Sequence, residues 1–213
     1  MKLNTYIDHT LLKPTATKAD IIKLCDEAKA YQFFSVCVNC SYVKLAVKQL
    51  KGTTIKVCAV VGFPLGAMNT KAKVFEAKQA VKDGASEIDM VINIGALKSE
   101  AYKKVKKDIK KVKKVLPKQI LKVILETCFL NDEEIRIASK LALEAGADFI
   151  KTSTGFGTEG ATLPHIKLMA SVAKDDIKIK ASGGIKDAKT AEAYIKLGVS
   201  RLGTSSGIAI VTG

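Results

Sequence analysis

Tryptophan is absent from this 213-residue chain, histidine occurs twice and proline four times. Two histidines, His9 and His165, are too few for a metal centre built on imidazole. No run approaches the ~18 consecutive apolar residues that a membrane span needs, so no membrane role is expected. The segment Met1–Thr10 holds polar Asn4, Asp8 and His9 and lacks the apolar core of a secretory signal. The five cysteines are an odd number, which together with that start predicts reduced thiols in a cytoplasmic protein rather than a disulfide framework. Acidic residues are scarce, 21 against 35 basic ones, giving a net charge of +14. The excess is lysine, since Arg136 and Arg201 are the only arginines. Such a charge favours phosphorylated ligands and polyanions but does not specify a fold. Apolar residues at 47% and charged residues at 26% exclude a disordered chain. The length suits one domain, expected over residues 1–213, with enough core to need no covalent or metal staple.

What the chain does contain is alternation. Short apolar or β-branched runs predict eight strands: Asn4–His9, Phe34–Asn39, Ile55–Val61, Glu87–Asn93, Lys122–Thr127, Phe149–Thr154, Ile177–Ser182 and Ser200–Thr204. Between them stand helix-capping residues. Thr17, Asn69, Asn131 and Asp187 each precede an amphipathic stretch, and Asn39 or Ser41 precedes a shorter one. Gly84, Gly146 and Gly198 close three helices in the position of a left-handed cap. Repeated strand–helix units imply a parallel sheet, and eight of them imply an α/β fold closed as a (β/α)₈ TIM barrel. An open doubly wound sheet is the alternative. The segment Lys103–Lys114 carries eight lysines, yet Val105, Ile109, Val112 and Leu116 form one apolar stripe through it. No aromatic or arginine is interleaved, so we read a solvated helix face and no nucleic-acid partner.

Period-two alternation assigns the inward residues of such a barrel. Apolar side chains face the helices, which turns Asp8, Cys37, Asn39, Glu87, Asp89, Lys122, Glu126, Lys151, Lys178 and Lys180 inward. Charged groups are seldom buried without a reason. Lys151 and Lys180 fall near the C-terminal ends of their strands, where barrel sites are built. A lysine near a second cation is suited to attack a carbonyl, because the free amine is the nucleophile and a neighbouring cation disfavours the ammonium. The resulting imine is an electron sink for breaking a carbon–carbon bond, and a carboxylate such as Asp89 can shuttle protons. Ser182-Gly183-Gly184 and Gly203-Thr204-Ser205-Ser206-Gly207 follow the last two strands and suit a phosphate, and Thr152-Ser153-Thr154-Gly155 can add hydroxyls. Cys37-Val-Asn-Cys40 has metal-like spacing but no second ligand pair, so no metal site is expected.

Six motifs in order carry a resemblance that covers nearly the whole chain. They are Ile7-Asp8-His9-Thr10-Leu11-Leu12, Val61-Gly62-Phe63-Pro64-Leu65-Gly66, Glu87-Ile88-Asp89-Met90-Val91, Phe149-Ile150-Lys151-Thr152-Ser153-Thr154-Gly155-Phe156, Lys180-Ala181-Ser182-Gly183-Gly184 and Gly203-Thr204-Ser205-Ser206. With them the sequence resembles the deoxyribose-phosphate aldolases. The resemblance implies a class I lyase that cleaves 2-deoxy-D-ribose 5-phosphate to acetaldehyde and D-glyceraldehyde 3-phosphate, in a commonly dimeric barrel without metal or other cofactor. It implies that Lys151 forms the Schiff base, that Lys180 is the second lysine and that Asp89 transfers protons. It further implies that Asp8 and Cys37 line the pocket, and that Gly155, Gly183, Gly184, Ser205 and Ser206 cradle the phosphate. Thr154 and Gly203 belong to the same substrate-binding turns. Longer members of that family carry a C-terminal tyrosine linked to proton transfer; the last tyrosine here is Tyr194, within a helical stretch.

Overall fold

A computed structural model describes residues 2–213. Eight parallel strands close into a barrel, each hydrogen-bonded to its sequence neighbours, with β8 returning to β1. The strands are β1 (Ile7–Leu11), β2 (Ser35–Val38), β3 (Lys56–Val61), β4 (Glu87–Val91), β5 (Ile120–Ile124), β6 (Phe149–Lys151), β7 (Lys178–Ser182) and β8 (Val199–Thr204). The helices are α1 (Lys18–Tyr31), α2 (Val43–Gln49), α3 (Thr70–Lys82), α4 (Ile94–Lys98), α5 (Tyr102–Lys113), α6 (Asp132–Glu144), α7 (Leu163–Ala173), α8 (Ala188–Lys196) and the short α9 (Gly207–Thr212). None of the described helices is long and apolar enough to cross a membrane.

The caps explain where several elements begin. Thr17 and Asn131 form reciprocal capping boxes with Asp20 and Glu134, and Asn69 and Asp187 cap as expected. Asn39 and Ser41 do not cap α2. The Asn39 amide donates to the carbonyl of Leu12, and a single 3₁₀ turn at Cys40–Tyr42 leads into the helix instead. Helix α7, which the sequence pattern leaves unassigned, opens on Thr162 with Pro164 in its first turn.

Strand ends differ from expectation wherever a side chain takes over the backbone. Leu3–Tyr6 is a 3₁₀ turn, because the Asn4 amide donates to the carbonyls of Tyr31 and Gln32 at the end of α1. Strand β4 stops short of Asn93, whose side chain caps α4. Strand β5 begins two residues earlier than expected and ends at Ile124, since Glu126 turns left-handed and Thr127–Phe129 coils into a 3₁₀ turn.

Two apolar layers follow from the alternation. Outward residues such as Ile88, Met90, Val123, Ile150 and Leu202 pack fully buried against the helices. Inside the barrel a small cluster of Leu12, Cys37, Cys58 and Val60 fills the space beside β1–β3. The lysine-rich helix α5 buries Val105, Ile109 and Val112, so its stripe is the core face and its lysines are solvated. It also buries Asp108, which pairs at 2.7 Å with fully buried Lys73 of α3. Glu87, Asp89, Lys122, Lys151 and Lys180 are all buried inside the barrel, as their parity requires. Lys178 departs from this: it begins β7 at the N-terminal end of the barrel and is exposed, with its ammonium 5.8 Å from the Phe149 ring centroid.

Candidate active site

The barrel interior is an alternating lattice of charge. Asp89 sits at its centre on β4. Its Oδ2 accepts hydrogen bonds from both Lys151 and Lys180 at 2.8 Å, and its Oδ1 accepts from Lys122 at 2.8 Å and from the Cys58 thiol at 3.1 Å. Lys180 also pairs with Asp8 Oδ2 at 2.5 Å, and Lys122 with Glu87 Oε2 at 2.5 Å. Arg201 closes the circuit by donating to Asp8 at 2.6 Å and Glu87 at 3.0 Å, its guanidinium stacked 3.3 Å from the Phe34 ring centroid. Ser35 donates to Asp8 at 2.7 Å. The register makes this possible, because Lys151, Lys180 and Arg201 occupy adjacent positions on β6, β7 and β8.

Burial alone would neutralise such groups, so the partners decide their state. Burial opposes ionisation of Asp89, yet Lys122, Lys151 and Lys180 hold its carboxyl well below the usual range. Burial likewise opposes ionisation of Asp8, and Lys180, Lys122 and Arg201 overcome it. Desolvation would push Lys180 down, but Asp8 and Asp89 raise it above an ordinary lysine. Lys122 is raised in the same way, chiefly by Asp89 against its own burial. Asp89 is therefore an acceptor near neutral pH, and Lys180 is a fixed cation.

Above this lattice, at the C-terminal end of the strands, opens a cavity of about 420 Å³. Of the seven charged lattice residues only Lys151 lines it. Thr154, Gly155, Gly183, Gly184, Gly203, Ser205 and Ser206 line it as well, so the predicted turns converge on one space. Asp8 and Cys37 do not. Both point inward as their parity requires and both are fully buried, Asp8 spent on Lys180, Arg201 and Ser35. The Thr154 hydroxyl also differs from expectation: it donates to Glu126 and accepts from the N–H of Phe156.

Glycine is required at two of these positions. At Gly203 a Cβ would lie 2.9 Å from the Ser182 Cβ and 3.0 Å from Lys180 Cε, so its absence makes room for the Lys180 stem. Gly183 has φ +85° and would place a Cβ 2.7 Å from the backbone of Gly160.

Sequence reasoning missed several contributors. Arg201 lies on the Gly203 face of β8, and extending the alternation to that strand finds it. Lys13 and Lys186 also line the cavity, but nothing in a lysine-rich sequence marks them out. As for metal, the ligand atoms of Cys37, Cys58 and Asp89 lie within 4.8 Å of one another. That set is a poor cation site: both oxygens of Asp89 face ammonium groups, and burial raises the Cys58 thiol and keeps it protonated. Cys40 is separate, with its thiol donating to the Val60 carbonyl, and all five cysteines are free.

Comparison with known proteins agrees with this geometry. Residues 2–211 match the model of the DeoC/LacD family of aldolases. A deoxyribose-phosphate aldolase of Bdellovibrio bacteriovorus is 58% identical over all of this chain and 97% of its own. One of Finegoldia magna is 56% identical with both chains fully covered. Among solved structures, a tetrameric deoxyribose phosphate aldolase from Aeropyrum pernix superposes with a TM-score of 0.92 at 32% identity, covering 98% of this chain and 89% of that one. Likeness of this extent spans every strand that supplies the charge lattice and the cavity, and the chain belongs to the DeoC/LacD family of aldolases.

Proposed function

We propose that this chain, acting as one barrel domain over residues 1–213, cleaves 2-deoxy-D-ribose 5-phosphate to acetaldehyde and D-glyceraldehyde 3-phosphate, reversibly, through an imine on Lys151. The observation that carries the reading is that Lys151 alone brings the buried charge lattice to the cavity surface. Its Nζ, as the free amine, adds to the C1 aldehyde of the open-chain sugar, and water leaves. The C3 hydroxyl then gives up its proton, the C2–C3 bond breaks, and its electron pair moves through C2 toward the imine nitrogen. Glyceraldehyde 3-phosphate departs. A proton returns to C2, and water releases acetaldehyde and the amine. Asp89, an ionised acceptor bridging Lys151 and Lys180, is the group suited to relay those protons.

The phosphate end of the cavity falls to Gly155, Gly183, Gly184, Gly203, Ser205 and Ser206, with Lys13 and Lys186 supplying positive charge. Asp8 acts as the carboxylate that fixes Lys180, and Cys37 as part of the apolar packing inside the barrel. The names of the relatives support the substrate, and the sugar phosphate is its only expected partner besides a second copy of the chain. A homodimer, which sedimentation tests, has exposed apolar side chains such as Leu65, Met68 and Phe75 available to bury. A phosphorylated sugar and five free thiols suit the cytoplasm.

The decisive experiment is incubation with deoxyribose 5-phosphate and borohydride followed by peptide mapping. A reduced adduct on Lys151 is expected. An adduct on another lysine, or none, overturns the reading.

A further inference from the structure

Glu126 is a buried carboxylate that the proposed reaction does not use. It is 2% exposed and lies after β5 with φ 58° and ψ 64°, a left-handed conformation that residues with a Cβ disfavour. A residue keeps such a conformation only where its surroundings over-determine it. Here the side chain is held through one residue of the neighbouring loop. Glu126 Oε1 accepts the backbone N–H of Thr154 at 3.1 Å, and Oε2 accepts the Thr154 hydroxyl. Among the described residues its only other side-chain partner is the Cys128 thiol, at 4.0 Å.

The hydroxyl held in this way accepts in turn from the Phe156 N–H at 2.9 Å, so one carboxylate organises the turn Thr154–Phe156. The backbone on either side is already tied to β6: Leu125 donates to the Lys151 carbonyl at 2.9 Å and Thr127 to that of Thr152 at 3.0 Å. Space is equally tight, since a Cβ at Gly157 would lie 2.6 Å from the Cys128 sulfur and 3.3 Å from the Glu126 carboxyl carbon. Thr154 and Gly155 form cavity wall three and four residues after Lys151.

We propose that Glu126 is a positioning residue: its carboxylate clamps the loop after β6 so that Thr154 and Gly155 hold the cavity wall beside Lys151. The inference rests on the function proposed above for its kinetic consequence, but not for the clamp itself. Hydrogen exchange therefore reads the clamp directly. Glu126→Gly is the informative variant, because glycine accepts the left-handed backbone, so removal of the side chain and its carboxylate adds no backbone strain. Exchange of the Thr154–Gly157 amides should quicken about tenfold or more, as expected for loss of a charge-assisted hydrogen bond. Glu126→Gln keeps an acceptor for the Thr154 N–H and should retain most of the protection. In turnover of deoxyribose 5-phosphate, Glu126→Gly should raise KM about tenfold with a much smaller change in kcat, and Glu126→Gln should restore it. Adding Thr154→Val to Glu126→Gly should raise KM by less than the product of the two single effects, because the carboxylate and the hydroxyl share one contact. Unchanged exchange in Glu126→Gly overturns the clamp whether or not the chain turns over the sugar. An additive double variant overturns it as well. A wild-type enzyme that borohydride fails to trap would sink the proposed reaction while leaving the exchange result to decide the clamp.

Discussion

Replacing Asp89 by asparagine removes one charge and no volume from the centre of the lattice. Oδ1 receives hydrogen from Lys122 and Cys58, and Oδ2 receives it from Lys151 and Lys180. An amide offers one acceptor and one donor. Whichever way it is turned, its NH₂ faces at least one ammonium. The less costly orientation keeps the oxygen toward Lys151 and Lys180 and sets the NH₂ against Lys122. Lys180 then retains Asp8 and Lys122 retains Glu87, while Lys151 loses its one carboxylate among the described residues. Breaking a buried pair from one side costs about 3–5 kcal/mol. For a chain of this size that is a fall in Tm of about 6–20 °C. The sign of the pH dependence comes from the depressed carboxyl of Asp89. Its folded value lies below its unfolded one, so its contribution is complete above the ordinary carboxylate range, near ~4, and is lost as pH falls toward the folded value. The gap in stability between wild type and Asp89→Asn should therefore be full at pH 7 and should narrow only below about pH 4. Turnover of deoxyribose 5-phosphate should fall by roughly 10²–10⁴ with loss of the proton relay. Borohydride trapping on Lys151 should persist in part, and exchange of acetaldehyde methyl hydrogens with deuterated water should slow in step with turnover. A variant that melts within ~2 °C of wild type and turns over within about tenfold of it would refute both the lattice and the relay.

Three further substitutions probe separate parts of the molecule. Ser206→Asp puts negative charge on the cavity wall and should raise KM for the phosphorylated sugar about tenfold or more while sparing unphosphorylated deoxyribose, measured by paired steady-state kinetics; equal damage to both would reduce the turn to a structural role. Gly203→Ala drives a methyl against Lys180 Cε and Ser182 Cβ and should cost about 1–3 kcal/mol in a denaturant melt, with a lowered kcat as Lys180 shifts. Lys73→Met strands the buried carboxylate of Asp108 and should destabilise by about 3–5 kcal/mol, whereas Lys73→Met with Asp108→Leu should recover most of it; no recovery would mean that the pair is not the cause.

Much of this molecule is legible in one dimension, for a physical reason. Side-chain alternation along a strand and capping at a helix start are local rules. They sufficed for the barrel, for the inward lysines and carboxylates and for the helix starts at Thr17, Asn69, Asn131 and Asp187. The same rules put Thr154, Gly155, Gly183, Gly184, Ser205 and Ser206 in turns at one end of the sheet, which the structure gathers around a single cavity. Parity, however, says which face a residue occupies and not how deep it lies. Asp8 and Cys37 face inward yet are fully buried and are not among the residues that line the cavity. Depth depends on the stagger between strands, which for β1 against β8 is set by a pairing across nearly the whole length of the chain. Partner choice is non-local for the same reason. That Asp89 rather than Asp8 joins Lys151 to Lys180, that Arg201 bridges Asp8 and Glu87, and that Glu126 is committed to Thr154 all depend on contacts between residues 28 to 193 positions apart. The sequence by itself determined the kinds of groups that enter the barrel; the closure of eight strands decided which of them meet, because only closure brings the last strand against the first.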